Sequence, residues 1–477
     1  MKTNILTRIS TFLLVLVMCV MTLVGCAPNA NINLPESTSP VSGNGGLAVQ
    51  KGEYLYFVNG YKSVSSLSDG NNKGGDKYSA IYRAKLTDDE LSYDEDGNLV
   101  DCELIIDKIC GFEKTALYIF GDYIYYATPN TDKVVSDESI SSNFELTDFY
   151  KAKLDGSQRT HIYKTNETSD STKFAFYKVN GVNDVYLALY DGSKLVFVNC
   201  TTKAVSTISE SISSVAMPAV ADYNALNNQI SVGASYVYYT RSGNDDESLS
   251  SGNVFCAAKI GENKEIVLAS GVNTYTVKSA NNDAIVFTKK SGSDLNANNY
   301  AIKYAYDADG KIALDLQNGG VRLDATAHDN VLLCTFEDGN CVGMVAKNAS
   351  NKLAYFNCIA DTITILDEEL ELTPVALNGN YVYAYDSNNS IYQINYKNGA
   401  KKLLADANAT GDDEIAKPYF EAKKNFSVLG NHIYYFATYT GEDTGYYLNR
   451  VSTAIQDNYK TELLGVLQEK HIAAEEE

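Results

Sequence analysis

Asp94, Asp96, Gly97 and Glu103 are spaced like parts of an oxygen-ligand loop for a divalent cation. With Gly97 as the sixth position of a Ca2+ loop, Asp94 and Asp96 fall at the third and fifth and Glu103 at the twelfth. Ser92 would be a poor first ligand, and no helical pattern flanks the segment. The same text recurs at Tyr306-Asp307-Ala308-Asp309-Gly310 without the distal acid, and a hairpin turn explains both copies. Calcium is thus the single cofactor the residues suggest, set against a plain turn. The four histidines, 161, 328, 432 and 471, are too far apart to suggest a metal pair, and His432 stands where a repeat elsewhere has Tyr. No nucleophile elbow, phosphate loop or dinucleotide fingerprint occurs, and among many carboxylates no pair is singled out. No catalytic residue is assigned, and catalysis is left open with the balance against it.

Lys2 and Arg8 precede an apolar run from Ile9 to Leu23. Charged start and short apolar run have the form of a secretory signal, too short for a comfortable membrane span. The run ends in Leu23-Val24-Gly25-Cys26, which resembles the bacterial lipobox. That resemblance implies cleavage before Cys26 and a diacylglycerol on its thiol. It places the mature protein on the extracytoplasmic face of a cell membrane, held in the bilayer by its acyl chains. Residues 1–25 are then signal peptide. Residues 26–46 carry Cys26, Pro28, Pro35 and Pro40 among Asn, Ser and Gly, the composition of a flexible tether.

Hydrophobic content of 45% and charged content of 21% describe a globular chain. Loss of Lys2 and Arg8 takes the formal charge from −21 to −23. Such a charge argues against nucleic acid, where Lys and Arg neutralise phosphates, and against electrostatic docking on anionic lipid. Beyond Cys19 and Cys26, seven cysteines remain at 102, 110, 200, 256, 334, 341 and 358, without close metal spacing. Buried thiols are the expectation, with a bridge between Cys334 and Cys341 as the alternative for that pair.

Tyr is abundant, with 36 residues, and Trp is absent. The tyrosines recur in one phrase: Gly52-Glu53-Tyr54-Leu55-Tyr56-Phe57 returns at 121–126, 234–239, 379–384 and 430–435. Weaker copies lie at 183–186, 282–287 and 329–332, giving eight. A spacing that settles at about 50 residues, in strand-like text, is the signature of propeller blades. The prediction is an all-β chain: one β-propeller of about eight four-stranded blades over 47–466, with seven as the alternative. An acidic tail, 467–477, follows. In the second unit the strands are read at 116–120, 123–127, 149–154 and 160–164. Extra length falls in two polar insertions, Val64 to Lys77 and Asn130 to Asn143.

At Tyr238-Tyr239-Thr240-Arg241 and Tyr125-Tyr126-Ala127-Thr128 the chain resembles bacterial domains of unknown function that are similar to LDL-receptor-related and TolB-like propellers. The Trp and Asp of the receptor motif are missing, so the resemblance bears on fold and not on ligand. It implies protein contact at the cell envelope and carries over no catalytic residue. The expected function is a monomeric, membrane-anchored, non-catalytic module that binds a protein or peptide. The alternative is a surface propeller that binds or processes glycans through funnel carboxylates and tyrosines.

Overall fold

The computed structural model describes residues 33–62, 80–95, 99–108, 110, 116–129, 147–165, 172–179, 184–218, 235–243, 252–280, 284–324, 340–347, 350–357, 362–406, 417–418, 426–438, 445–454 and 461–463. All the regular elements among them are strands, and these form eight antiparallel sheets in chain order. This is the expected all-β propeller. Sheet 2 shows the pattern: Leu117–Phe120, Tyr123–Pro129, Thr147–Lys153 and Thr160–Lys164, each paired with the next. Those bounds match the ones read from the sequence to within two residues.

Seven of the eight copies of the Tyr phrase run into the second strand of seven sheets. The eighth, 329–332, lies outside the described residues, just ahead of the three-stranded sheet 6, whose strands are Asn340–Lys347, Ser350–Asn357 and Thr362–Ile365. The phrase forms a strand because Tyr and aliphatic residues alternate and both faces are packed. Its opening Gly has a local task. Registers Lys51↔Tyr54, Phe120↔Tyr123, Asn378↔Tyr381 and Leu429↔His432 leave two residues in each turn between first and second strands. Gly52, Gly121, Gly379 and Gly430 take the first of those places with φ between 55° and 59°, a conformation that L side chains resist.

A backbone bond repeats with the same regularity. The residue after the third strand donates to the carbonyl at the start of the second: Leu86 to Glu53, Leu154 to Asp122, Ile260 to Ser235, Tyr396 to Asn380 and Thr453 to Asn431, at 2.7–3.1 Å. Turns between third and fourth strands are closed by Asx caps, as where Asp155 Oδ1 accepts from Ser157 N and Asn395 Oδ1 from Lys397 N.

The core lies between sheets. One buried cluster joins sheets 1 to 4, another sheets 4 and 5, and others sheets 6 with 7 and 7 with 8. The cluster that closes the ring combines Leu47, Leu55, Phe57 and Tyr82 of sheet 1 with Leu429, Tyr434, Phe436 and Leu448 of sheet 8. Polar bonds reinforce this seam. Leu47 N donates to Ser427 Oγ at 2.9 Å, and the buried Arg450 meets Glu90 at 2.9 Å. The short strand Tyr61–Lys62 also crosses over to pair with Gly445–Ser452 of sheet 8.

Residues 33–46 differ from the flexible tether expected of them. Val41–Ser42 pairs with Gln50 and Lys51 on the free edge of the first strand of sheet 1. Gly45 N donates to Leu117 O at 2.7 Å, and Leu117 N donates back to Gly46 O at 3.0 Å. Asn44 is buried and brackets Ile119: its Oδ1 accepts from Ile119 N at 2.7 Å while its Nδ2 donates to Ile119 O at 3.2 Å. The segment orders through backbone pairing with strand edges, which a polar composition does not prevent. Asn44→Ala leaves the Ile119 amide without this acceptor, a loss of about 1–3 kcal/mol. The expected result is a melting temperature lowered by a few degrees in calorimetry, with no rescue by Asn44→Asp, which sets a buried carboxylate oxygen against Ile119 O.

Candidate functional site

In an antiparallel four-stranded sheet the first-to-second and third-to-fourth turns lie at one end. The second-to-third loops and the crossovers to the next sheet lie at the other. The first set here is mostly tight. Exceptions are residues 217–235 in sheet 4, 86–101 in sheet 1 and 304–320 in sheet 5; the strands that flank the 64–77 and 130–143 insertions end in the second set. The insertions themselves lie outside the described residues.

At this crossover end, sheets 4 and 5 build a continuous surface. Gly252 sits so close to the 270–273 crossover that a Cβ would fall 1.9 Å from Gly271 O. Asn253 then brackets the backbone of Tyr275, donating to its carbonyl and accepting from its amide at 2.7 Å each. The 291–297 loop of sheet 5 comes alongside, with Gly292 in van der Waals reach of Val272. Asp294 N donates to Ser291 O at 2.9 Å, which holds this loop in a turn. On this framework Val272 is 57% exposed and Leu295 is 93% exposed. Among the described residues these are the two most exposed large aliphatic side chains. Sequence reading missed them, because Leu295 stands in a polar run, Ser291 to Asn299, that carries no pattern.

The lipobox residues Leu23, Val24, Gly25 and the lipidation residue Cys26 lie outside the described residues, as do Asp96 and Gly97 of the calcium candidate. The described part of that candidate is a hairpin. Tyr93 bridges to Leu99 and Val100 N donates to Ser92 O, as Tyr306 bridges to Ile312 and Ala313 N donates to Ala305 O in the second copy. In that second copy Asp307 Oδ1 accepts from Asp309 N and Lys311 N at 2.9 and 2.8 Å. The leading carboxylate of the motif therefore caps its own turn. Glu103 is engaged elsewhere: its Oε2 accepts from Nε and Nη2 of the buried Arg83 at 2.7 and 2.6 Å.

Other ionic groups tie strands to one another. Arg241 grips Glu265 through Nε and Nη2, and Tyr239 donates to the same carboxylate at 2.7 Å. Burial works to raise the Glu265 pKa, but the hydrogen bonds from Arg241 and Tyr239 outweigh it and hold the carboxyl below its usual 4.5. Asp367 likewise sits low: burial opposes the shift, while bonds from Leu370 N and Lys401 prevail. His161 meets Asp148 at 3.0 Å with its ring against Tyr150, a cross-strand pair. The exposed tyrosines 306 and 381 stand on sheets 5 and 7, at the tight-turn end, and are not brought together. Cys102, Cys110, Cys200 and Cys256 are thiols, the last three buried; Cys334 and Cys358 lie outside the described residues. Burial pushes the Cys200 thiol up to about 12, so it is inert at neutral pH.

No family model and no curated protein matches this chain. Solved structures of similar shape include the β-propeller domain of the Trilobed protease from Pyrococcus furiosus, 12% identical, over 78% of this chain and 100% of that one, with a TM-score of 0.39. TolB from Acinetobacter baumannii is 9% identical over 66% of this chain and 78% of that one, with a TM-score of 0.30. A prolyl endopeptidase is 12% identical over 72% of this chain, with a TM-score of 0.41, and this chain spans about half (47%) of its length.

The Glu103–Arg83 pair and the capped Asp307 turn lead to one expectation for calcium. Glu103→Gln should destabilise the fold equally with and without Ca2+, by up to about 1.5–3 kcal/mol for a hydrogen bond to a charged group, seen as the same drop in melting temperature under both conditions. A Ca2+-dependent shift in the parent that vanishes in the variant would restore the metal reading. A second expectation concerns acid. A carboxyl whose folded pKa is depressed contributes stability that is present above its unfolded pKa and lost as pH falls through the folded value. Urea titrations below pH 4.5, the ordinary Glu265 value, should show a steep loss of stability that is shallower in Glu265→Gln.

Proposed function

We propose that this is a lipid-anchored extracytoplasmic propeller that binds a protein or peptide at the cell envelope without catalysis. The carrying observation is two solvent-exposed aliphatic side chains, Val272 and Leu295, on adjoining loops of the crossover end. Apolar side chains on positioned loops suit a protein partner, since burial of each aliphatic group contributes about 1.5–3 kcal/mol. Anchoring rests on the order of types at Leu23-Val24-Gly25-Cys26 behind an apolar run. The absence of a positive catalytic motif in the sequence agrees with a binding role, as does the engagement of Glu103, Glu265 and Asp367 in structural bonds.

Both parts are open to experiment. Metabolic labelling with a radioactive fatty acid should mark the parent and be lost in Cys26→Ala; persistence of label would refute the anchor. A photo-cross-linking amino acid at position 295, in intact cells, should trap a discrete protein adduct that the same probe at Tyr381 does not. Adducts from both positions, or from neither, would count against a binding face at the crossover end.

A further inference from the structure

Asn33 is the first described residue after Cys26, and its place in the fold has a direction. Asn33 O accepts from Nη1 of Arg83 at 2.9 Å. Nζ of the buried Lys51 donates to Ser37 O at 3.0 Å and to Ser39 O at 3.2 Å. Gly52 N donates to Pro40 O at 3.2 Å, and a Cβ on Gly52 would touch Ser39 and Pro35. Lys51 and Gly52 form the turn between the first and second strands of sheet 1. Residues 33–40 therefore lie on the tight-turn end of the ring. From Val41 the chain runs along the free edge of sheet 1 to reach Leu117 at the crossover end.

We infer that the anchor fixes the orientation of the ring, with the tight-turn end of sheet 1 toward the bilayer and the crossover end, with Val272 and Leu295, toward the outside. The inference rests on the proposed lipidation of Cys26. Asn33 is seven steps along the chain from Cys26, a reach of at most about 25 Å. The twenty from Cys26 to Gly46 would have allowed about 70 Å, enough for the ring to turn over freely. The ordered segment removes most of that freedom. Asn33, Leu34 and Glu36 are exposed at this point, so the chain leaves the ring there on its solvent side. The partner-binding end is thus held away from the membrane, where it can meet a soluble protein or the exposed part of another envelope protein.

The test uses the full chain, lipidated by its producing host and reconstituted in phosphatidylethanolamine–phosphatidylglycerol vesicles that carry an acceptor lipid. Donor dye is placed at Glu53→Cys or Lys85→Cys on the tight-turn end, and at Leu295→Cys or Val272→Cys on the crossover end. The parent treated with dye corrects for its own thiols. Strands rising about 3.3 Å per residue put the two ends roughly 15–25 Å apart, so energy transfer should differ by at least about twofold, greater from positions 53 and 85. Asn44→Ala combined with Gly45→Val, which loosens the ordered segment, should shrink that difference. Equal transfer from both ends, or greater transfer from 295 and 272, overturns the orientation while leaving anchoring intact. Flotation separates the two claims: a chain that does not float with the vesicles refutes the anchor, and the orientation falls with it.

Discussion

A sheet that is apolar on both faces cannot stay in water alone. The second strands here, such as Tyr236–Arg241 with every residue buried, present side chains to neighbours on both sides. The only arrangement that covers both faces of every such sheet is a ring, and a ring of one chain must have a seam. The seam between sheets 1 and 8 therefore bears the weight of the fold. Its contents follow from that demand: the cluster from Leu47 to Leu448, the Leu47–Ser427 bond, the crossing strand Tyr61–Lys62, and Arg450 reaching Glu90. Interlocking of this kind gives cooperativity, because opening the seam exposes an apolar face of each terminal sheet.

Tyr suits such a ring better than Trp or Phe would. Its ring packs between sheets, and its hydroxyl can reach a polar side chain on the next strand. The cross-strand registers put Tyr56 opposite Arg83, Tyr125 opposite Lys151, Tyr383 opposite Gln393 and Tyr434 opposite Arg450. Gln393 Nε2 donates to Tyr383 Oη at 3.1 Å, and Arg83 lies 4.5 Å over the ring of Tyr54. Long cations are thereby buried beside aromatic faces, with a carboxylate such as Glu103 at the outer strand to complete them. The acidic composition has a matching origin, since Asp155, Asp191, Asp307, Asp367 and Asp386 each cap the turn they begin.

Much of this was legible in the sequence, because it is local and repeated. The phrase at Gly52, Gly121, Gly379 and Gly430 encodes turn, strand and face at once. The Asp-Gly and Asn-Gly texts at 309–310 and 398–399 fall in third-to-fourth connections, where such turns are at home. What escaped is non-local. Nothing in Asn44 or Gly45 reveals that their partners are Ile119 and Leu117, so a polar, Pro-containing stretch read as free tether. The spacing of Asp94, Asp96 and Glu103 fits a cation loop only if Glu103 is available, and the register that hands it to Arg83 is invisible in one dimension. Leu295 is a lone apolar residue among polar ones, in a loop turned by the Asp294–Ser291 bond, and Val272 sits on a crossover that Gly252 and Asn253 brace from sheet 4.

If Cys26 carries the proposed lipid, the segment leading from it meets the seam, which would link stability to presentation. Residues 33–46 hold sheet 1 to sheet 2 and lie against sheet 8, where a Cβ on Gly46 would strike Ser427 and one on Gly43 would press on Leu429. A side chain at either glycine would disturb the joint between first and last sheets as well as the path of residues 33–46. Force transmitted through Cys26 would act first on Asn33, Ser37 and Ser39, whose carbonyls are held by the buried cations Arg83 and Lys51. Hydrogen bonds to charged donors are about twice as strong as neutral ones. The load thus passes into sheet 1 at its best-secured corner before it can reach the seam. A tether that merely hung from the first strand would instead pull on Ala48–Lys51 directly and peel it from the ring.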